Sequence, residues 1–70
     1  MTSPITSTYT VTGMTCQHCV ASVSEEVSEI AGVTEVGVDL ASGLVTVTSS
    51  EPIAEDAVRA AVDEAGYALA

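Results

Sequence analysis

The chain has few cationic residues. Among its 70 residues there is no lysine and a single arginine, Arg59, against ten acidic residues, so the formal net charge is −9. A protein that binds nucleic acid must neutralise several phosphates, and one arginine argues against that function. Anionic membrane surfaces would repel the chain as well. The expected partner is therefore a protein with a basic surface.

Long apolar segments are also lacking. No apolar run exceeds four residues, whereas a membrane-spanning helix needs about 20. Residues 1–8 contain neither the positive charge nor the apolar stretch of a signal peptide. We therefore expect a cytoplasmic protein, in which thiols stay reduced.

Tryptophan and phenylalanine are absent, although 47% of the residues are hydrophobic. Valine and alanine supply most of these residues, so the core must be small. A chain of this length buries only about 60% of the surface that it exposes when unfolded, which excludes a large enzyme with a deep pocket. We predict a single domain over residues 1–70, with residues 1–4 frayed.

The periodicity of the apolar residues predicts six secondary-structure elements. Apolar spacings of three and four predict two amphipathic helices. The first begins near His18 and ends before Gly32, and the second follows the start signal Ser49–Pro52 and ends at Gly66. Alternating apolar and polar residues predict strands, which cover Thr6–Val11, Val33–Leu40, Leu44–Thr48 and Tyr67–Leu69.

The predicted order of these elements is βαββαβ. Right-handed crossover connections place both helices on one face of a four-stranded antiparallel sheet. This arrangement is the ferredoxin-like sandwich of the α+β class. On the second helix, Glu55 and Arg59 are four residues apart in the order that favours an ion pair.

The sequence has one chemical motif, Cys16-Gln17-His18-Cys19, at the point where a loop enters the first helix. Two cysteines three residues apart at a helix start can direct both sulfur atoms to one point. The free N–H groups and the dipole of the first turn stabilise negative charge there, which favours the thiolate form. Thiolates select copper(I) among the abundant metals, and two suffice because copper(I) accepts linear coordination. Zinc prefers four ligands, so a closed zinc site would require a second molecule.

Neighbouring residues have alternative roles. The spacing allows His18 to be a third or bridging ligand in a copper-linked dimer, but we favour a solvent-facing side chain in the monomer. Met14 offers a thioether ligand, although its position and adaptable shape favour a core plug beneath the loop. Gly13 is expected to serve the backbone geometry of the loop.

The segment Gly13–Val20 resembles the metal-binding loop of the heavy-metal-associated domain family. Ala65-Gly66-Tyr67 resembles the second landmark of that family, and Gly32-Val33 and Val36-Gly37-Val38 are similar to it as well. The resemblance covers nearly the whole chain. A free-standing chain of this length looks like the small bacterial copper chaperones of the family.

The resemblance implies a function and partners. Such chaperones hold copper(I) on the two cysteines, here Cys16 and Cys19, and pass it by ligand exchange to soluble domains of a copper-exporting P-type ATPase. Some deliver it to a copper-sensing repressor. No enzymatic reaction is implied. Because a two-thiolate site is coordinatively unsaturated, we expect a metal-free monomer and a copper-bridged homodimer.

The resemblance also assigns roles to Thr15 and Tyr67. In relatives that handle zinc, cadmium or lead, an aspartate tends to precede the first cysteine, whereas Thr15 stands there in this chain, which suits copper. Tyr67 is expected beside the metal loop with its hydroxyl near the sulfur atoms, or simply as aromatic core area. Many of these chaperones carry lysines around the site, so a basic chaperone docking on an acidic partner does not describe this chain.

Two other functions use the same residues. A thiol–disulfide oxidoreductase also needs a C-x-x-C motif, but thioredoxin-like enzymes have a larger chain and a cis-proline facing the cysteines, and neither Pro4 nor Pro52 is well placed for that. The chain could also be an isolated N-terminal metal-binding domain of a metal-transporting ATPase.

Overall fold

A computed structural model describes residues 4–70 of the chain. Of the residues predicted to be frayed, only Pro4 lies within that range. The six elements are β1 (Ile5–Thr12), α1 (Gln17–Ser28), β2 (Val33–Asp39), β3 (Leu44–Ser49), α2 (Glu55–Glu64) and β4 (Ala68–Leu69). Their order and the α+β class are those predicted, and every strand boundary lies within one residue of its predicted position.

The four strands form one antiparallel sheet in the order β2-β3-β1-β4. The neighbours of β1 are therefore β3 on one side and β4 on the other. It pairs with β3 from Ile5 to Thr10, but with β4 only at Val11 and Thr12. Both βαβ crossovers skip one strand, as the ferredoxin-like arrangement requires. Neither helix of residues 4–70 is long and apolar enough to cross a membrane.

The core between the sheet and the helices is built almost entirely from valine. Strands and helices both contribute to it, because β-branched side chains pack well on a pleated sheet and the helical valines recur along one face. Each fully buried valine contributes about 1.5–3 kcal/mol of burial free energy. The buried apolar residues are Val11, Val23, Val27, Val45, Val47, Val58, Ala61 and Val62.

The predicted start of α2 is wrong. Ser49 is the last residue of β3, and α2 begins at Glu55 after the N-cap Ala54. The Ser49 side chain is buried, and its hydroxyl donates a hydrogen bond to the Glu51 carbonyl at 2.7 Å. The serine therefore stabilises the turn that follows β3, and residues 50–54 connect this strand to α2.

Two other features of the helices concern their ends and their surface. Helix α1 ends at Ser28 rather than continuing to Gly32, which instead lies in the turn before β2 with a φ of 93°. On α2, the predicted pair between Glu55 and Arg59 is present, with a nitrogen–oxygen distance of 2.8 Å. Because both side chains are largely exposed, this pair contributes little to stability.

Gly43→Ala is expected to lower the free energy of unfolding by about 1–3 kcal/mol. The glycine has a φ of 75°, and an added Cβ would lie 2.6 Å from the carbonyl oxygen of Val11. Gly37→Ala is the matched control, since nothing lies within 4 Å of its added Cβ and alanine is favoured over glycine inside a strand. Urea unfolding measures both variants. Equal losses of stability would contradict the explanation from backbone geometry.

Candidate metal centre

The loop that carries the candidate ligands starts directly after β1. Gly13 takes a φ of 94°, which turns the chain away from the sheet. Cys16 is the N-cap of α1 with an extended backbone, and its carbonyl accepts hydrogen bonds from the N–H groups of Cys19 and Val20 at 3.1 and 3.3 Å. These bonds close the first helical turn, so Cys19 lies one turn above Cys16 on the same side.

The two sulfur atoms converge, as the spacing of the motif predicted. Their Sγ atoms are 3.5 Å apart, and both thiols are free. Cys16 is exposed and Cys19 is partly buried. The Thr15 hydroxyl lies 3.8 Å from the Cys19 sulfur. Two sulfur ligands therefore face a point on the surface that an ion and the ligands of a second protein can reach.

The surroundings of Cys19 favour its thiolate form. Donor groups near the sulfur, first the Thr15 backbone N–H and then the Tyr67 hydroxyl and the Cys16 thiol, lower the pKa of Cys19 to about 6. Partial burial acts in the opposite direction but is outweighed. The hydrogen bond with Cys19 in turn raises the pKa of the Tyr67 phenol, with further contributions from burial and from the charges of both cysteines. Near pH 7, Cys19 is therefore mostly ionised while Tyr67 keeps its proton.

The end of α2 brings Tyr67 to the metal loop. Gly66 has a φ of 93°, its N–H bonds to the Asp63 carbonyl at 2.9 Å, and the N–H of Tyr67 bonds to the Val62 carbonyl at 3.0 Å. This pair of bonds is the glycine-terminated helix end known as the Schellman motif. It directs the Tyr67 ring onto the loop, where an added Cβ on Gly13 would lie 3.3 Å from the ring. Tyr67 packs against the core, and its hydroxyl is among the groups that lower the pKa of Cys19.

Met14 and His18 do not join the sulfur pair. Met14 is partly buried and packs against the core, which agrees with a plug beneath the loop. His18 is exposed on the first turn of α1. Among residues 4–70, no group of three or more histidine, cysteine, aspartate or glutamate side chains is arranged to hold a metal ion. The side chains that the structure brings together at this loop are the Cys16 and Cys19 thiols.

One contribution to the site could not be read from the motif. The sequence assigned Thr15 a role only through the identity of its side chain, whereas its backbone is the largest influence on the pKa of Cys19. Backbone donors are common to all residues except proline, so residue type gives no signal for this role.

The family-level relationships of the chain agree with this geometry. A model of the heavy-metal-associated domain matches residues 8–68. The chain belongs to the heavy-metal-associated domain family. It is 46% identical over 59 residues to the COP-associated protein of Helicobacter felis, covering 84% of this chain and 89% of that protein. It is 38% identical over 64 residues to the copper chaperone CopZ of Bacillus subtilis, covering 90% and 93%.

A structural relative and a larger protein extend the comparison. The solved structure of a CopZ metallochaperone superposes with a TM-score of 0.87 at 30% identity, over 94% of this chain and all of the other. The human copper-transporting ATPase 2 is 35% identical over 63 residues, which is 89% of this chain but 4% of the ATPase. The same domain therefore occurs both in small chaperones and as a part of transporters.

Tyr67→Phe is expected to raise the pKa of Cys19 above its value of about 6, because the variant loses the hydroxyl that favours the thiolate and keeps the ring beside Gly13. Ultraviolet absorbance of the thiolate, followed against pH in the metal-free chain, measures the change. Tyr9→Phe is the matched control and should leave the titration unchanged. A midpoint that does not move in Tyr67→Phe would show that the hydroxyl has no effect on the thiolate.

Proposed function

We propose that this protein is a copper(I) chaperone that binds the ion between Cys16 and Cys19. The observation that carries the proposal is the pair of free sulfur atoms 3.5 Å apart at an accessible helix start. A two-sulfur donor set suits a soft monovalent ion and is too small for zinc. The names of the relatives from H. felis and B. subtilis support copper as the metal.

Transfer by ligand exchange fits the different exposure of the two cysteines. A thiolate of the acceptor attacks the two-coordinate ion and gives a three-coordinate bridge, and the original thiolates then leave one at a time. Cys16 is exposed, whereas Cys19 is partly buried and has its pKa lowered by the Thr15 backbone and the Tyr67 hydroxyl. Cys16 is therefore the ligand that exchanges first. The copper stays in the +1 state throughout, so no electron donor or acceptor is required.

The acidic surface determines which partners fit. Glu25, Glu26 and Glu29 lie at the end of α1, and Glu64 of α2 is near them. Burial and the charges of Glu29, Glu64 and Glu25 raise the pKa of Glu26, so these carboxylates repel one another and attract cations. We propose that the acceptor is a soluble domain of a copper-exporting P-type ATPase with a basic or less acidic docking face. A copper-sensing repressor is a second acceptor of the same kind.

The association state is expected to change with the metal. A single chain leaves the copper two-coordinate at the surface, and thiolates of a second chain can complete its coordination. The metal-free chain is then a monomer and the loaded chain a copper-bridged homodimer. Exposed His18 beside Cys19 is the candidate for an additional ligand in that dimer.

The assignment to a carrier in the cytoplasm competes with an enzyme and with a transporter domain. A cysteine with a pKa of about 6 also suits thiol–disulfide exchange, and catalytic turnover of a protein disulfide would favour an oxidoreductase. The same sulfur pair would bind copper equally well in a metal-binding domain of an ATPase. The identity to the H. felis and B. subtilis relatives, 46% and 38%, is higher than the 35% identity to the human ATPase, which favours the chaperone.

The double variant Cys16→Ser/Cys19→Ser is expected to lose competitive copper(I) binding and to keep its fold. The affinity for copper(I) should fall by more than the roughly 100-fold that follows from mutating a group that hydrogen-bonds to a metal ligand, because both ligands are removed. The measurement is an anaerobic copper(I) titration against a strong chelator, with sedimentation recorded on the same samples. His18→Ser is the control and should keep the first copper while changing the dimer. Tight binding by the double variant would refute the site.

Transfer of copper to the soluble ATPase domain is expected to slow as salt is added. Attraction between the acidic chain and a basic face is screened over about 8 Å at physiological ionic strength. A variant with Glu25→Gln and Glu29→Gln should show a weaker dependence on salt. A rate that rises with salt would mean that the charges oppose docking. A flat response would instead place the encounter on the apolar rim of the loop, formed by Met14, Val20 and Tyr67.

A further inference from the structure

The two edges of the sheet are protected to different degrees. At one edge, β2 carries Glu35 and Asp39 and has an irregularity between Val33 and Glu35. Charges and bulges discourage another strand from pairing with an edge. At the other edge, β4 has two residues and covers only the last part of β1. The first part of β1 is therefore an edge as well. No residue of β1 (Ile5–Thr12) has a charged side chain.

The backbone groups of Thr6 and Thr8 face this second edge. The N–H of Ala70 donates to the Thr10 carbonyl at 2.8 Å, so the polar backbone groups of Thr10 point towards the β4 side. Backbone groups two residues apart on a strand point in the same direction. Those of Thr6 and Thr8 therefore point that way too, and among residues 4–70 no strand pairs with them there. We call this part of β1 the open edge.

A groove lies between the open edge and α2. Its volume of about 220 Å³ is below the roughly 300–1,000 Å³ of small-molecule sites, so it fits single side chains rather than a ligand. Most of the surface that lines the groove is polar, and Tyr9 and Leu69 are its large apolar residues. The exposed side chain of Arg59 lies on the helix side and is paired with Glu55 at 2.8 Å. The lining residues are Thr8, Tyr9, Thr10, Glu55, Arg59, Leu69 and Ala70.

We propose that the open edge is a docking site for an extended segment of another protein, which adds as a fifth strand beside β1. Its backbone pairs with Thr6 and Thr8, and one of its uncharged side chains enters the groove. In strand addition, main-chain hydrogen bonds give affinity and such a pocket gives specificity. The net charge of −9 selects a segment flanked by lysine or arginine and rejects an acidic one.

A second copy of the chain fits this edge less well. Two β1 strands paired about a two-fold axis at Thr6 would place Pro4 of each copy opposite Thr8 of the other. Proline has no N–H, so the Thr8 carbonyl would lack a donor in both halves. A two-fold axis at Ser7 would instead place Thr6 opposite Thr8, but Pro4 would then lie opposite Thr10, whose carbonyl already accepts from Ala70. Each copy also carries a charge of −9, which opposes association. A separate segment without proline at that position has neither disadvantage.

The docking site and the metal centre lie at opposite ends of β1. The open edge is at the start of the strand, and the loop with Cys16 and Cys19 follows its last residue, Thr12. A bound segment would therefore leave both sulfur atoms accessible. The proposal does not depend on copper, so it is tested on the metal-free chain and can fail or succeed independently of the chaperone function.

The test is a nuclear magnetic resonance titration of the metal-free chain with a seven-residue peptide of alternating valine and threonine that carries a lysine at each end. We expect saturable shifts at Thr6, Thr8, Arg59 and Leu69, together with slower hydrogen exchange of the Thr6 and Thr8 amides. The same peptide with its pairing amide nitrogens methylated keeps its charges and side chains and should not bind. Binding of both peptides alike would show simple charge attraction and overturn the proposal.

Substitutions at Thr8 provide the matched pair of variants. Thr8→Pro removes the N–H that faces the open edge, which edge strands tolerate, and should weaken peptide binding about tenfold or more, as the loss of roughly 1.4 kcal/mol would. Thr8→Val keeps the N–H and should bind like the parent chain. If Thr8→Pro does not fold, hydrogen exchange of the Thr6 and Thr8 amides in the parent chain still tests the proposal, because the bound peptide should slow it. Undiminished binding by a folded Thr8→Pro, shifts confined to the acidic helices, or self-association of the metal-free chain would each overturn the proposal.

Discussion

The position of the metal loop depends on how the chain packs around Val11. Its side chain is buried in the core, its N–H donates to the Gly43 carbonyl at 2.8 Å, and it pairs with Leu69 of β4. Three segments that are distant in the sequence therefore meet two residues before Gly13. The backbone cannot shift there without breaking those contacts, so the loop starts from a fixed point. The sheet, rather than contacts within the loop, determines where the cysteines begin.

The strongly acidic composition does not prevent the formation of a thiolate. The groups that change the pKa of Cys19 are Thr15, Tyr67 and Cys16, together with burial, and none of them is a carboxylate. Hydrogen bonds act at contact distance, whereas exposed charges beyond about 8 Å are largely screened at physiological ionic strength. The chain can therefore have an acidic surface and still favour an ionised sulfur at Cys19.

Much of the fold and the sulfur pair could be predicted from the sequence, because both follow from local spacing. Alternation in the strands and the repeat of Val23 and Val27 on α1 carry enough signal to identify the elements and their order. The start of α2 was mispredicted because Ser49 resembles a helix cap in type, and only the pairing of β3 shows that its hydroxyl is used in a turn. The influence of the Thr15 backbone and the incomplete cover of β1 by β4 depend on tertiary geometry, which no residue pattern encodes.

The cap of α1 has a consequence for the energetics of loading. Cys16 occupies the N-cap position, and its side chain makes no capping hydrogen bond, whereas serine or aspartate there would be worth about 0.5–2 kcal/mol. The N–H groups of the first turn therefore receive no hydrogen bond from the side chain at the N-cap, which is a thiol. By linkage, an ion that binds the folded chain and not the unfolded one stabilises the fold, and that gain falls on the start of α1. In the proposed carrier, copper binding would therefore be coupled to the order of the first turn, and an acceptor that contacts this turn would meet a more rigid surface when copper is bound.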